Sequence, residues 1–271
     1  MGVGLDDDNP KDEKFGQMQY AVTASHVVTN ASASEEIFLR VNTHSGTTCD
    51  IPLPKKSWIH HPDTDVAVTP IDWPNANVEL DVMSFSLEHL LTKADSQKHC
   101  VSAGDEVILI GLFVKFPGTK RIQPIARFGR ISLMPYDPIP IEVGTKELEV
   151  DAYLVEALAW PGMSGCPAII YPTRAYGDRG TQMYLPFYIL GLLHGLCEFG
   201  KEVKFSRDVR TVKVHSGISV VIPSDKIREL LMSDDMKAQR AELLKQRKAE
   251  NNKPIATPAT PSASQTSEPE Q

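Results

Sequence analysis

The chain of 271 residues reads as an all-β protein closed by a C-terminal helix. Three observations predict this class. Short β-branched runs recur along most of the chain, 20 prolines and 17 glycines punctuate them, and few helical patterns intervene. That combination disfavours a βαβ protein and favours an all-β sandwich or a pair of barrels. The length allows one large β unit or two small domains.

In chain order, Gly2-Val3-Gly4-Leu5 reads as the inside of a strand, so the chain opens as one does where an upstream segment precedes it. Candidate strands follow at Tyr20-Ala21-Val22-Thr23, Ile37 to Val41, Asp65 to Val68 and Glu106 to Ile110. Others are Arg130 to Leu133, Glu147 to Val150, Ala168 to Tyr171, Tyr188 to Leu193 and Ile218 to Ile222; each is bounded by turn-forming residues. The pattern changes at Pro223-Ser224-Asp225. There Ser224 suits an N-cap, and Ile227, Leu230 and Leu231 form the apolar stripe of a helix packed on a core. Ser233-Asp234-Asp235 reads as a second helix start. The charged stretch from Lys237 to Glu250 then forms either a solvated helix or a contact for a partner. Residues 251–271 contain four prolines, three serines and three threonines and read as a disordered tail.

Composition excludes several function classes. Apolar residues make up 41% and charged residues 23%, which is unlike a disordered, fibrous or membrane-spanning chain. With 28 basic and 35 acidic residues, the net charge of −7 repels phosphate, so no nucleic-acid partner is expected. No run approaches the ~20 apolar residues of a membrane helix. The first twenty residues lack the apolar core of a signal peptide, and a cytoplasmic location is expected, with secretion left open for a chain whose N-terminus is incomplete. The four cysteines (Cys49, Cys100, Cys166 and Cys197) include no CxxC pair and match no zinc-finger spacing.

Three segments carry candidate chemistry. His26 ends Thr23-Ala24-Ser25-His26, directly after a strand, in a small-residue turn that leaves its ring free; on its own, such a histidine is more often structural. Asp65 opens an apolar strand, where a carboxylate can be held rigidly enough to fix a histidine tautomer, whereas Asp63 in the preceding loop better suits a turn cap. His60, His61, Asp63 and Asp65 are residue types that a metal cluster uses, but adjacent histidines rarely converge on one ion, so none is expected. Ser164, in Gly162-Met163-Ser164-Gly165-Cys166-Pro167, lies in a tight turn whose backbone N–H groups can converge on one point; the plain alternative is a Gly/Pro turn.

Taken together, in the order His, Asp, Ser, the segments TASH, DVA and GMSGCP resemble those of trypsin-like (chymotrypsin-fold) serine peptidases of the bacterial type. The resemblance extends over residues 2 to 231 through Gly2-Val3-Gly4-Leu5, Gly104-Asp105-Glu106-Val107 with Gly111, Gly129-Arg130-Ile131-Ser132, Gly191-Leu192-Leu193-His194-Gly195 and Ile222-Pro223-Ser224-Asp225. The order excludes the α/β-hydrolases, which run Ser, acid, His.

The resemblance implies two six-stranded antiparallel β-barrels with a C-terminal helix. Residues 1–88 would form the first barrel, 89–222 the second, 223–250 a helical segment and 251–271 the tail. It implies a serine endopeptidase acting on polypeptides without a cofactor or metal. Ser164 would be the nucleophile, His26 the general base, Asp65 its orienting carboxylate, and the backbone N–H groups of Gly162 and Ser164 the oxyanion hole. Leu158 would lie at the base of the first specificity pocket, giving it an apolar character, and His194, Gly195 and Leu196 would form the wall that pairs with substrate backbone. The alternatives are a catalytically silent peptide-binding scaffold and an esterase using the same triad. Met163 stands where animal digestive members carry an aspartate, so zymogen activation through a freed N-terminus is not expected. Cys166 and Cys197 would lie on neighbouring strands, and two buried free thiols are expected there rather than a disulfide.

Overall fold

The computed structural model describes residues 2–5, 18–31, 36–73, 79–143, 146–171, 187–205 and 208–251, with side chains described outside 2–5, 198–215 and 247–251. The expected tail falls almost wholly outside these residues. Strands dominate, as the turn punctuation predicts.

The N-terminal half contains β1 (Gly2–Leu5), β2 (Met18–Thr23), the short helix α1 (Ser25–Asn30), β3 (Glu36–Thr43) and β4 (Thr48–Pro54). Then come β5 (Ile59–His60), β6 (Ala67–Pro70), β7 (Leu80–Asp81) and β8 (Phe85–Ser86). They form a five-stranded sheet in the order β5-β6-β2-β1-β8 and a three-stranded sheet in the order β4-β3-β7. A closed, wholly antiparallel six-stranded barrel, expected here, is not what these strands show. β1 pairs in parallel with β8 through Val3↔Phe85 and Gly4↔Ser86, and the β3–β4 hairpin extends only to β7. Apolar packing joins the two sheets instead: Ala21, Val28, Val41, Ile51, Leu53 and Trp58 belong to one buried cluster.

The C-terminal half is a closed barrel. After α2 (Lys93–Lys98) come β9 (Glu106–Leu112), β10 (Pro124–Leu133), the hairpin β11 (Ile139–Val143) and β12 (Lys146–Val150), then β13 (Tyr153–Glu156), β14 (Pro167–Ile170), β15 (Tyr188–Phe205) and β16 (Asp208–Pro223). The ring runs β10-β13-β16-β15-β14-β9. The alternation along β9 turns Val107 and Leu109 inward, and both are fully buried with Ile131, Val155, Leu190 and Val221.

A second apolar cluster welds the halves together. It includes Tyr20 and Val22 from the first half, Ile189 and Ile222 from the barrel, and Ile227 and Leu231 from the helix α3 (Ser224–Leu231). Ser224 is not the N-cap; Pro223 occupies that place, and the buried Ser224 Oγ lies 2.7 Å from both the Leu91 and Ile189 carbonyls, to one of which it donates. The second helix, α4 (Asp234–Asn251), starts where expected, with Ser233 Oγ accepting from the Met236 N–H at 3.3 Å. Its first turns are not free for a partner. Met236 is fully buried, Arg240 Nε donates to Tyr20 Oη at 2.6 Å, and Gln239 Nε2 donates to the Ser57 carbonyl at 2.9 Å. Replacing Met236 with Ala should therefore destabilise the fold by about 2–4 kcal/mol in urea denaturation, while Lys245→Ala on the exposed face should change it by less than ~0.5 kcal/mol.

Candidate active site

The site is assembled where α1 and the loop before β6 meet the turn before β14. His26 lies in the first turn of α1 rather than in an irregular turn, because Ala24 ends the extended segment and the chain coils at once. A helix start leaves backbone N–H groups without intrahelical partners. One of these, the His26 N–H, donates to Asp65 Oδ1 at 2.9 Å, and the ring Nδ1 lies 2.7 Å from Asp65 Oδ2. Asp65 sits two residues before the strand, in a turn closed by the bond from the His61 N–H to the Val66 carbonyl at 2.8 Å, and it is 0% exposed. Asp63, by contrast, is exposed, and its N–H donates to His61 Nδ1 at 3.2 Å.

The four groups considered as a metal cluster diverge. His60 Nδ1 pairs with Ser25 Oγ at 2.6 Å, while the buried His61 turns the other way, its Nε2 3.2 Å from Glu229 Oε2 on α3. The residue that does join Asp65 is His194, whose Nδ1 lies 2.6 Å from the same Oδ2. The sequence reading placed His194 in a cleft wall and missed this contact. The only hint was a titratable residue one position before Gly195, on a strand expected to face the cleft.

One carboxylate thus receives both imidazoles, whose rings meet edge to face at 5.5 Å and 81°. Burial pushes the Asp65 pKa up, but the hydrogen bonds from His194 and His26 outweigh burial and hold it below the usual carboxylate value. An ionised Asp65 can only accept, so both rings carry their proton on Nδ1 and leave Nε2 as the basic nitrogen. His26, Asp65 and His194 have the ligand types of a divalent metal site. Their contacts of 2.6 and 2.7 Å are, however, hydrogen-bond lengths, shorter than the ~3.3 Å that separates neighbouring ligands of a tetrahedral zinc ion, so a metal would have to spread them.

Ser164 is half-buried in a turn held by the bonds from the Met163 N–H to Trp160 O at 3.1 Å, the Cys166 N–H to Met163 O at 3.0 Å and the Gly165 N–H to Leu193 O at 2.7 Å. Among the described residues, the N–H groups of Gly162 and Ser164 have no acceptor in the chain, so the turn presents those two donors. Gly162 and Gly165 adopt φ values of +94° and +83°, which favour glycine. A side chain at Gly165 would overlap Thr23 Oγ1 and approach the Ala24 N to 2.9 Å, so this turn lies against the segment leading into His26. The Met163 side chain is buried beneath it, against Gly111. Among the described residues, Ser164 Oγ makes no hydrogen bond to His26.

Two clefts flank the turn. One, of about 320 Å³, is lined by Thr23, Val27, Phe38, Ile110, Gly162 and Ser164. The other, of about 280 Å³, brings Leu158 and Leu196 together with Phe113, Lys115 and Trp160 and is mostly apolar. The pairing of β14 with β15 ends at Pro167↔Leu192, while Gly195 and Leu196 pair with Val220 and Ser219 on the opposite side. A larger cavity of about 650 Å³ lies away from this site, between α2 and α3, with Tyr136, Tyr153, Asp225 and Glu229 in its wall.

All four cysteines are free thiols, but Cys197 is exposed rather than buried, because it lies beyond the reach of β14. Burial pushes the Cys166 thiol up to about 12, which leaves it unreactive.

The chain matches no protein-family profile and no curated protein. Solved structures similar to it include Deg5, at 17% identity and a TM-score of 0.44, covering 78% of this chain and 75% of that one. The inactive form of the Rv3671c protease is similar at 13% identity and a TM-score of 0.41, covering 78% and 77%; the active form from M. tuberculosis is similar at 16% and 0.41, covering 82% and 75%.

Two outcomes follow from this geometry. Because the folded pKa of Asp65 is depressed, the stability it contributes is complete above its unfolded value, about pH 4, and is lost as pH falls through the lower folded value. Urea denaturation across that window should show a shallower acid decline for Asp65→Asn than for the wild type. In native alkylation, the exposed Cys100 and Cys197 should react first and Cys166 only on unfolding, with mass spectrometry counting the adducts.

Proposed function

We propose that this protein is a serine endopeptidase of the chymotrypsin-like type. The reading rests above all on the buried Asp65 carboxylate, which takes both the backbone N–H and the Nδ1 proton of His26 and so presents Nε2 as a base. Ser164 attacks the scissile carbonyl as its hydroxyl proton passes to His26 Nε2, forming a tetrahedral oxyanion beside the N–H groups of Gly162 and Ser164. The imidazolium, balanced by Asp65, then gives that proton to the departing amine and leaves an acyl-enzyme, which water hydrolyses by the same steps. Each oxyanion donor typically contributes about 10²–10³ in rate.

The substrate lies along the open edge of His194, Gly195 and Leu196 as an added strand, with its leading side chain in the apolar cleft of Leu158 and Leu196. That lining favours an apolar side chain over Lys or Arg, which Lys115 in the same lining would also repel. The unmade bond between Ser164 and His26 favours a second reading, a silent peptide-binding scaffold, although such bonds are often long before substrate arrives.

A fluorophosphonate probe separates the two. Covalent labelling of the wild type, abolished in Ser164→Ala, is expected; equal labelling of both, or of neither, would overturn the peptidase reading. Digestion of a peptide library should then give cleavage after apolar residues, whereas turnover of small acyl esters alone would make the protein an esterase.

A further inference from the structure

We propose that His194 is a positioning residue for His26, acting through the carboxylate oxygen of Asp65 that both imidazoles share. This deepens the peptidase reading and rests on it for its kinetic part. The geometry is specific: His194 Nδ1 lies 2.6 Å and His26 Nδ1 2.7 Å from Oδ2, while Oδ1 is occupied by the His26 N–H at 2.9 Å. Asp65 is wholly buried and the His194 side chain is only 13% exposed, so no bulk water takes over a missing donor without rearrangement. His194 lies in β15 where the register with β16 shifts between Leu193 and Gly195, a bulge that re-aims a side chain.

The consequence is electrostatic. A carboxylate in an apolar interior is driven toward its neutral form, and each N–H directed at it opposes that drive. Without His194, Asp65 keeps only the two His26 bonds, and its pKa rises. Once protonated, it no longer demands the Nδ1–H tautomer of His26, and Nε2 ceases to be the base. The titratable groups facing Asp65 are His26 from α1, His194 from β15 and, beyond Ser25, His60 from β5. Asparagine provides the control, because its amide Nδ2 stands the same number of bonds from Cα as the imidazole Nδ1 and donates without titrating.

The test compares wild type, His194→Ala and His194→Asn by peptide hydrolysis across pH and by low-field proton NMR of histidine-labelled protein. Two strongly downfield imidazole N–H resonances are expected in the wild type and one in each variant. His194→Ala should lose about 10- to 100-fold in kcat with KM little changed, and its acid limb should move to higher pH, since a carboxylate with one N–H donor fewer makes the coupled His26–Asp65 pair hold its proton more tightly. His194→Asn should recover at least tenfold of that loss and restore the limb. Equal losses in both variants, a loss confined to KM, an unshifted acid limb in His194→Ala, or a single low-field resonance in the wild type would overturn the proposal. If the wild type neither hydrolyses peptide nor takes the fluorophosphonate, the peptidase reading fails, while the resonance count still decides whether the two histidines share Asp65.

Discussion

The arrangement depends on one buried carboxylate. Asp65 is wholly enclosed, yet it is held ionised by three N–H donors from two distant parts of the chain, α1 and β15. An unpaired charge in such a place would be costly enough to neutralise itself. The donors therefore do more than stabilise the group: they tie the N-terminal sheets to the barrel and orient both histidines. His61 adds a brace from the other side, since its backbone closes the Asp65 turn while its ring reaches Glu229 on α3.

Around that charge, apolar packing does the positioning. The cluster that contains Tyr20, Ile189, Ile222 and Ile227 crosses between the halves and carries the first turns of α4 with it. On the barrel side, the buried Met163 anchors the Ser164 turn. A hydrophobic anchor there leaves neighbouring backbone donors free to face the cleft, and two glycines with positive φ allow the tight reversal.

Much of the fold was legible in the residues. Most strands lie where β-branched runs meet turn residues, and the stripe of Ile227, Leu230 and Leu231 marked α3. What escaped was decided by partners distant in sequence. The parallel pairing of β1 with β8 leaves no local pattern, which is why a closed first barrel was expected and two packed sheets were found. Ser224 has an N-cap's composition, but buried carbonyls of Leu91 and Ile189 claimed its hydroxyl. In the site, the approach of His26 to Asp65 could be read from two motifs, each tied to the end of a predicted strand. The arrival of His194 could not, because it depends on a register shift in β15 that redirects one side chain.

In the proposed reaction, Ser164 attacks one carbonyl carbon, His26 takes its proton, and the N–H groups of Gly162 and Ser164 hold the oxygen of that same carbonyl. A crystal structure of the protein with a peptide boronate carrying an apolar leading residue tests it most directly. The account predicts a tetrahedral boron bonded to Ser164 Oγ, one boronate oxygen within hydrogen-bonding distance of the Gly162 and Ser164 N–H groups, and His26 Nε2 facing the adduct. Boron bonded elsewhere, or a fully occupied boronate with its oxygen turned away from both N–H groups, would contradict it.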